Sequence, residues 1–199
     1  MFPPGSHLRE EELSELCNTS RTPVRQAIRR LADEGLVTIA ANKRSYVADV
    51  DETHAEEIFD LLAFLESYLA GLAATRITPE KLTELQSILD LQKQLIATHP
   101  EDDQRFLELN IQFHRLIHQA GGSPILLEIA ARVENFTQSL YLKHGRATEN
   151  AGSVDQHEQL FNALASGDKT RSELLMRLHV ESVRKECREI WLDLNGRRD

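Results

Sequence analysis

The chain has 199 residues, 41% hydrophobic and 28% charged, a composition typical of a folded globular protein and sufficient for two modest domains. Its formal net charge is −9, which argues against general attraction to nucleic acid, so any DNA-binding surface must be local. No apolar run of membrane-span length stands out and the N-terminus lacks a signal-peptide core, so we expect a cytoplasmic protein. Cys17 and Cys187 are far apart on apolar helical patterns, which predicts reduced core thiols rather than a disulfide.

Two short helices joined by a tight turn are predicted near the N-terminus. The first covers residues 9–17, with Leu13 and Leu16 turned inward. The second begins after Ser20, whose hydroxyl can cap it, and ends at Gly35, where a positive φ is favoured. This arrangement is typical of a helix-turn-helix.

The second helix has two chemically different faces. A turn of about 100° per residue places on one side an apolar set, Val24, Ala27, Ile28 and Leu31, and on the other a polar set, Arg21, Thr22, Arg25, Gln26 and Arg29. Four arginines and no acidic residue lie between residues 20 and 30. A guanidinium group can bind phosphate oxygens or the O6/N7 edge of guanine through two hydrogen bonds. The alternative is that these arginines only solvate an outer helix face.

After the second helix the pattern changes to that of a β-hairpin. Residues 36–39 and 45–47 are predicted strands, and residues 40–44 form the turn, which includes Lys43 and Arg44. A basic hairpin of this kind can contact phosphates or a minor groove. The hairpin and the basic helix together favour DNA binding over simple solvation.

These residues resemble the winged helix-turn-helix of GntR-type bacterial transcription regulators. The resemblance rests on the run SRTPVR at residues 20–25, followed by EGLV at residues 34–37. It implies that Ser20, Arg21, Thr22 and Arg25 meet DNA. The basic helix face and the wing tip add the other predicted DNA-binding residues, Arg29, Asn42 and Lys43. Asn42 stands where the family usually has glycine, and asparagine also tolerates a positive φ.

Family members begin with a further helix, which covers the inner leucines of the head. We therefore expect that the natural reading frame starts upstream of Met1. A head without that helix would expose apolar surface and bind DNA poorly.

Charge separates the chain into two parts. Residues 1–50 contain seven basic and seven acidic residues, so the remainder carries the whole net charge of −9. Only the first part is suited to approach phosphates. We predict a DNA-binding domain over residues 1–50 and an effector-binding and dimerisation domain over residues 51–199.

The second part has a helical pattern throughout. Apolar residues recur at i, i+3 and i+4 in six segments, near residues 54–76, 79–98, 101–121, 124–146, 153–166 and 168–194. Six helices of these lengths predict an antiparallel bundle. The predicted fold class is mainly α, with a winged helix-turn-helix, lacking its first helix, followed by an antiparallel six-helix bundle.

Histidines in the second part form a candidate metal site. Asn110 and His114 are four residues apart and project from one helix face, while His157 and His179 belong to the last two predicted helices. Three imidazoles and an amide oxygen can hold a divalent ion with a position open for a ligand. A single histidine is more often a surface or hydrogen-bonded core residue, so spacing alone leaves both interpretations open.

The second part also resembles the FCD effector domain that follows GntR heads of the FadR type. The pattern NxxFH at residues 110–114, HxxLxxALxxGD at residues 157–168, and His179 carry this resemblance. Many members hold zinc or a similar ion through these positions, which implies Asn110, His114 and His157 as ligands together with His179. Nickel, manganese and iron are the alternatives to zinc. Six helices rather than seven resemble the shorter, VanR-like branch.

Two positions depart from the family pattern. Asn110 stands where aspartate is common, which implies a weaker site or the need for another acidic ligand. Leu62 stands four residues before Glu66, where the family commonly has an arginine that helps bind the effector. Arg132, Tyr141 and Lys143 are candidate substitutes for binding a carboxylate, although each also fits an ordinary helix-surface position.

The two resemblances together imply a ligand-responsive transcription regulator of a catabolic or metabolic operon, not an enzyme; repression is the expected mode, and activation is the alternative. They imply a homodimer that binds a short palindromic DNA operator and a small organic acid, with no membrane partner. One alternative is a truncated regulator that senses ligand or dimerises without binding DNA well. Another is a metal-dependent hydrolase or lyase, but no HExxH run is present, because His157-Glu158 is followed by Gln159, Leu160 and Phe161.

Overall fold

The computed structural model describes residues 2–49, 52–144 and 150–195. Within these ranges the chain forms eight helices and three short strands. It divides into two compact units, the first made of residues 1–58 and 131–145 and the second of residues 59–130 and 146–199. The predicted fold class, a winged helix-turn-helix followed by six helices, is confirmed.

The first unit contains the winged helix-turn-helix. Its elements are β1 (His7–Leu8), α1 (Glu10–Leu16), α2 (Arg21–Asp33), β2 (Val37–Ile39) and β3 (Ser45–Val47). The strands form an antiparallel sheet in the order β1-β3-β2, with Val37 opposite Val47. Leu8, Val24, Ile28 and Val37 form a small core that joins the sheet to α2.

Strand β1 is not predicted from the sequence, because two residues are too few to show an alternating pattern. Its pairing with β3 is extended by the preceding loop. The backbone N–H of Gly5 donates to the carbonyl oxygen of Val47 at 3.0 Å, and the N–H of Val47 donates to Ser6 at 2.9 Å. Gly5 has a φ of +74°, so the loop uses the left-handed conformation that glycine adopts without strain.

The ends of α1 and α2 differ in part from the prediction. Leu16 is 72% exposed rather than turned inward, and Cys17 is exposed rather than a core thiol, whereas Cys187 is buried. Both residues lie at the end of a two-turn helix, where the turn into α2 directs them to solvent. Ser20 occupies the N-cap position of α2, but its hydroxyl makes no capping hydrogen bond. Gly35 has a φ of +80°, as predicted.

Six helices follow the head along the chain: α3 (Glu52–Arg76), α4 (Pro79–Thr98), α5 (Asp103–Gly121), α6 (Pro124–His144), α7 (Asn150–Ala165) and α8 (Lys169–Asn195). Local capping explains where several of them begin and end. The side chain of Thr78 accepts a hydrogen bond from the N–H of Lys81 at 3.3 Å, and that of Asp102 accepts one from Arg105 at 3.0 Å. Gly122 ends α5 with a φ of +74°.

Helix α3 contributes much of the core of the second unit. Phe59, Leu69 and Ala70 on this helix are fully buried. Its segment His54–Arg76 is long and apolar enough to match a membrane span, which corrects the expectation that no such run exists. Within the structure 56% of that apolar window is buried, as in the core helix of a globular protein.

Helix α3 packs against α8 in the second unit. A Cβ atom at Gly71 would overlap the side chain of Glu173, so glycine permits a close approach here. Nearer the start of α3, Asp60 forms an ion pair with Arg184, whose guanidinium carbon lies 5.9 Å from the centroid of the Phe59 ring. The two helices therefore run antiparallel.

Candidate DNA-binding surface and metal site

Helix α2 buries one face and exposes the residues predicted to meet DNA. Val24 and Ile28 are buried in the core of the head. The predicted contact residues are all exposed: Ser20, Arg21, Thr22, Arg25 and Arg29. The apolar face is narrower than predicted, because Ala27 is exposed and Leu31 is 36% exposed, with no described segment covering them.

Two of the arginines are ion-paired with the first turn of α1. Nη2 of Arg21 lies 2.5 Å from Oε1 of Glu11. Arg25 donates two hydrogen bonds to the Glu10 carboxylate, at 2.8 and 2.6 Å, and this contact lowers the pKa of Glu10 and raises that of Arg25. The groups are solvent-accessible, so these pairs contribute little stability. These ion pairs are not predicted from the sequence, although three consecutive glutamates stand in the first turn of α1.

The wing tip is a tight turn stabilised by backbone hydrogen bonds. The N–H of Ala40 donates to Arg44 at 2.9 Å, and the N–H of Lys43 donates to Ala40 at 2.8 Å. The positive φ predicted for Asn42 occurs instead at Lys43, at +63°. Asn42 contributes its side-chain oxygen, which accepts the N–H of Arg44 at 3.1 Å and so holds the turn from within. Asn42 and Lys43 are both exposed.

In the second unit, three predicted histidine ligands come together. The ring centroids of His114 and His157 are 5.4 Å apart, those of His114 and His179 are 5.2 Å apart, and those of His157 and His179 are 4.8 Å apart. Each offers a ring nitrogen that lies within 4.8 Å of the other two. Asn110, one turn before His114 on α5, is half-buried. Three helices, α5, α7 and α8, thus supply one imidazole each.

Each of the three imidazoles has an oxygen acceptor at Nδ1. Nδ1 of His114 lies 3.2 Å from the Glu66 carboxylate. Two glutamine side chains are the acceptors for the other two rings: Gln92 Oε1 lies 2.9 Å from Nδ1 of His157, and Gln156 Oε1 lies 2.8 Å from Nδ1 of His179. In the neutral form of each ring, these oxygens favour the tautomer in which Nδ1 carries the proton and the lone pair is on Nε2.

Two of the three rings have properties that metal binding requires. Nε2 of His157 is buried and has no hydrogen-bond partner among the described residues. Burial, together with the charges of neighbouring imidazoles, lowers the pKa of His157 well below its ordinary value and that of His179 to about 3. Both rings are therefore neutral near pH 7, and neutral imidazole is the form that binds metals.

A buried carboxylate adjoins this cluster and is not predicted from the sequence. Glu66 on α3 is 2% exposed, and its Oε2 lies 2.7 Å from Nε2 of His118 as well as 3.2 Å from Nδ1 of His114. Burial opposes its ionisation, but the charges and hydrogen bonds of His118 and His114 outweigh burial and lower the pKa of Glu66. The four-residue spacing of His114 and His118 is a sequence signal for His118, whereas nothing local to α3 indicates Glu66.

Of the remaining positions discussed for the effector, the structure describes the side chains of Leu62 and Arg132. Leu62, which replaces the family arginine, is 8% exposed and belongs to the core. Arg132 is exposed on the part of α6 that belongs to the first unit. Tyr141 and Lys143 lie within α6, but outside the residues whose side chains are described.

The fold and these two sites define a class, that of DNA-binding regulators with a winged helix-turn-helix and a helical sensory domain. Residues 1–47 match the family of bacterial regulatory proteins called the gntR family, and residues 57–182 match the FCD domain. The chain belongs to the FCD-type, or FadR-type, GntR family of transcription regulators.

Several known regulators are similar to this chain. The HTH-type transcriptional repressor RspR of Escherichia coli is 28% identical over 194 residues, covering 96% of this chain and 83% of RspR. The Nta operon transcriptional regulator of Aminobacter aminovorans is 26% identical over 190 residues, covering 95% and 88%. The structure of E. coli McbR/YncC has a TM-score of 0.84 at 23% identity, covering 96% and 90%, which shows the shared fold. This family consists of transcription regulators, so the hydrolase or lyase alternative is set aside.

Proposed function

We propose that this regulator represses an operon by docking α2 in the major groove of its operator, with residues 1–50 as the DNA-binding domain and residues 51–199 as the effector and dimerisation domain. The observation that carries the proposal is the exposed arginine face of α2, backed by the buried Val24 and Ile28. The chain as a whole is acidic, and the arginine face of α2 is a local positive surface that attracts DNA phosphates.

The arginines of α2 have different environments, which suggests different roles. Arg29 and Lys43 have no ion-pair partner among the described residues, so we assign them contacts to phosphates. Arg21 pairs with Glu11, and Arg25 pairs with Glu10. To contact DNA, each arginine must either release its glutamate or bind the glutamate and the DNA at the same time. Their ion pairs are exposed and weak, so a phosphate or a guanine edge can replace them. Ser20, Thr22 and Asn42 complete the proposed contact set.

The proposed metal site consists of Nε2 of His114, His157 and His179 with the side-chain oxygen of Asn110. Three neutral imidazoles suit zinc first, and nickel, manganese or iron also fit nitrogen and oxygen donors. A bound divalent ion with an open position supplies a Lewis acid that attracts a carboxylate. The protein's own contribution is to exclude water around the buried rings and to fix their tautomers through the Nδ1 partners.

The effector we propose is a small organic acid that binds at this site and biases the arrangement of the DNA-binding heads. To change operator occupancy, it must bind one arrangement better than the other, and such couplings are typically about 1–3 kcal/mol. Arg132 and Tyr141 remain candidate carboxylate partners.

A second copy of this chain is the proposed partner, because a palindromic operator presents two half-sites to a two-fold symmetric protein. Five large apolar side chains on the neighbouring helices α3 and α8 are between 44% and 66% exposed: Leu61, Phe64, Tyr68, Leu174 and Leu178. We assign this apolar surface to the dimer interface. A DNA-bound regulator of this kind works in the bacterial cytoplasm.

The DNA-binding proposal is tested by selection from a library of random DNA duplexes. If Arg21 or Arg25 reads a base, its change to alanine should cost about 1–3 kcal/mol and relax specificity at one position, whereas loss of a phosphate contact weakens binding to all sequences alike. Arg177→Ala, an exposed arginine on α8, is the matched control. Unchanged binding by both variants would exclude α2 as the recognition helix. No selection by the parent chain, restored by adding an upstream helix, would identify the truncated-regulator alternative.

The metal site is tested by elemental analysis of the gently purified protein beside a His114→Ala/His179→Ala double variant. We expect near-stoichiometric metal in the parent, after zinc addition if needed, and its loss in the variant. A parent that retains no zinc, nickel or manganese would refute the metal site and leave the DNA-binding proposal intact.

A further inference from the structure

Glu66 is a buried acidic group in contact with the histidine cluster, and two histidines hold it. The carboxylate lies on α3, almost wholly buried, and its Oε2 contacts both His114 and His118 on α5. The two histidines are one helical turn apart, so both rings face α3. A buried carboxylate is stable only when such partners satisfy it.

The three ligand histidines differ in the charge of their Nδ1 partners. Nδ1 of His157 contacts the neutral amide oxygen of Gln92, and Nδ1 of His179 contacts that of Gln156. Of the three ligand histidines, His114 is the one whose Nδ1 contacts a carboxylate. A carboxylate behind a ligand imidazole makes Nε2 a stronger donor and fixes the ring orientation.

We propose that Glu66 is a positioning residue for the metal site, whose carboxylate accepts the Nδ1–H of His114 and supplies the negative charge that the neutral Asn110 does not. His118 donates the second hydrogen bond, which holds Glu66 in place. The proposal rests on the metal site proposed above. It explains how three neutral imidazoles and an amide can stabilise a divalent ion in a buried site, because one compensating charge lies directly behind the first ligand.

A second possible cation site would use Glu66 itself as a ligand, together with His114 and His118. Glu66, His114 and His118 also offer atoms within 4.8 Å of one another. A cation there would take Nδ1 of His114, and the ion would lie away from His157 and His179. The buried, unpartnered Nε2 of His157 favours the three-histidine site.

The test compares zinc affinity, measured by competition with a chromophoric chelator, in the parent and in Glu66→Gln. Glutamine keeps the shape and an oxygen that accepts the Nδ1–H of His114, but it removes the charge. We expect affinity to fall roughly 10–100-fold. The absorption spectrum of bound cobalt(II) should keep the intensity of a three-nitrogen site, because the ligands themselves are unchanged.

A charge-relocation variant separates a charge effect from a structural one. Glu66→Gln/Gln92→Glu moves the carboxylate behind His157, and we expect it to recover most of the lost zinc affinity. If this variant does not give the parent's circular dichroism, Glu66→Asp replaces it, with affinity expected between the parent and Glu66→Gln.

Three results would overturn the proposal. Equal zinc affinity in the parent and Glu66→Gln would show that the charge has no role. Loss of affinity that a folded charge-retaining variant does not restore would show a purely structural role. Loss of zinc in His118→Ala but not in His157→Ala would place the ion in the other set of ligands. A parent that binds no zinc at all would instead refute the underlying metal site, and this role with it.

Discussion

Acidification is expected to destabilise the metal-free protein through two buried histidines. Burial and the neighbouring imidazoles lower the pKa of His157 well below its ordinary value of 6.5 and that of His179 to about 3. In the unfolded chain both take up a proton near the ordinary value. The unfolded state therefore binds more protons between pH 6.5 and about 3, and folding stability falls as the pH decreases through that window.

The size of the effect follows from the fully buried state of both rings. At about one pH unit below the ordinary pKa, each histidine lowers the free energy of unfolding by about 1.4 kcal/mol relative to mildly alkaline pH, or roughly 3 kcal/mol for the two. This is a large part of the 5–15 kcal/mol that is roughly typical of a folded domain. The histidine partners of Glu66 lower the pKa of its carboxyl group. Protonation of this group therefore reduces folding stability further only as the pH falls below 4.5.

The assay is urea unfolding followed by circular dichroism, with EDTA present, at about pH 8 and about pH 5.5. A His157→Gln variant should lose about half of the pH dependence. His99→Gln is the control, because that histidine is 68% exposed and should leave the dependence unchanged. Constant stability across this interval, or the parent's full pH dependence in His157→Gln, would refute the assignment of buried neutral rings. Added zinc should stabilise the protein more at the higher pH, since the ligands must be deprotonated.

Two further predictions concern packing and assembly. Gly71→Ala should change the free energy of unfolding by less than about 1 kcal/mol, because the flexible Glu173 side chain can move and alanine favours the helix. Gly122→Ala should cost about 1–2 kcal/mol, because φ is +74° there; thermal unfolding of both variants checks the contrast, and equal effects would contradict it. Phe64→Asp should convert the proposed dimer to monomers in size-exclusion chromatography with light scattering, whereas Leu91→Asp, on α4, should not. A dimer that survives Phe64→Asp would exclude the α3–α8 surface as the interface.

Much of the DNA-binding head could be predicted because its helices and wing strands are determined by short stretches of consecutive residues. The apolar periodicity of α2, the glycine at its end and the alternation of β2 and β3 each depend on a few consecutive residues. The prediction at Leu16 is wrong, and the wing turn is kept with its positive φ at Lys43 rather than at Asn42. Exposure at a helix end and the position of a left-handed residue in a turn both depend on how the flanking segments pack. The ion pairs of Arg21 and Arg25 likewise need α1 and α2 side by side.

The sequence alone determines the order of the helices and of the wing strands β2 and β3, the local concentration of positive charge on α2, and the shared helix face of Asn110 and His114. These follow from helical periodicity and composition. Only the tertiary structure decides that His157 and His179 meet His114, since their helices must pack before the rings can approach. It also decides that Glu66, 48 residues before His114, lies behind that ring. A buried carboxylate is recognised by its surroundings, and no pattern within α3 encodes the face of α5 that satisfies it.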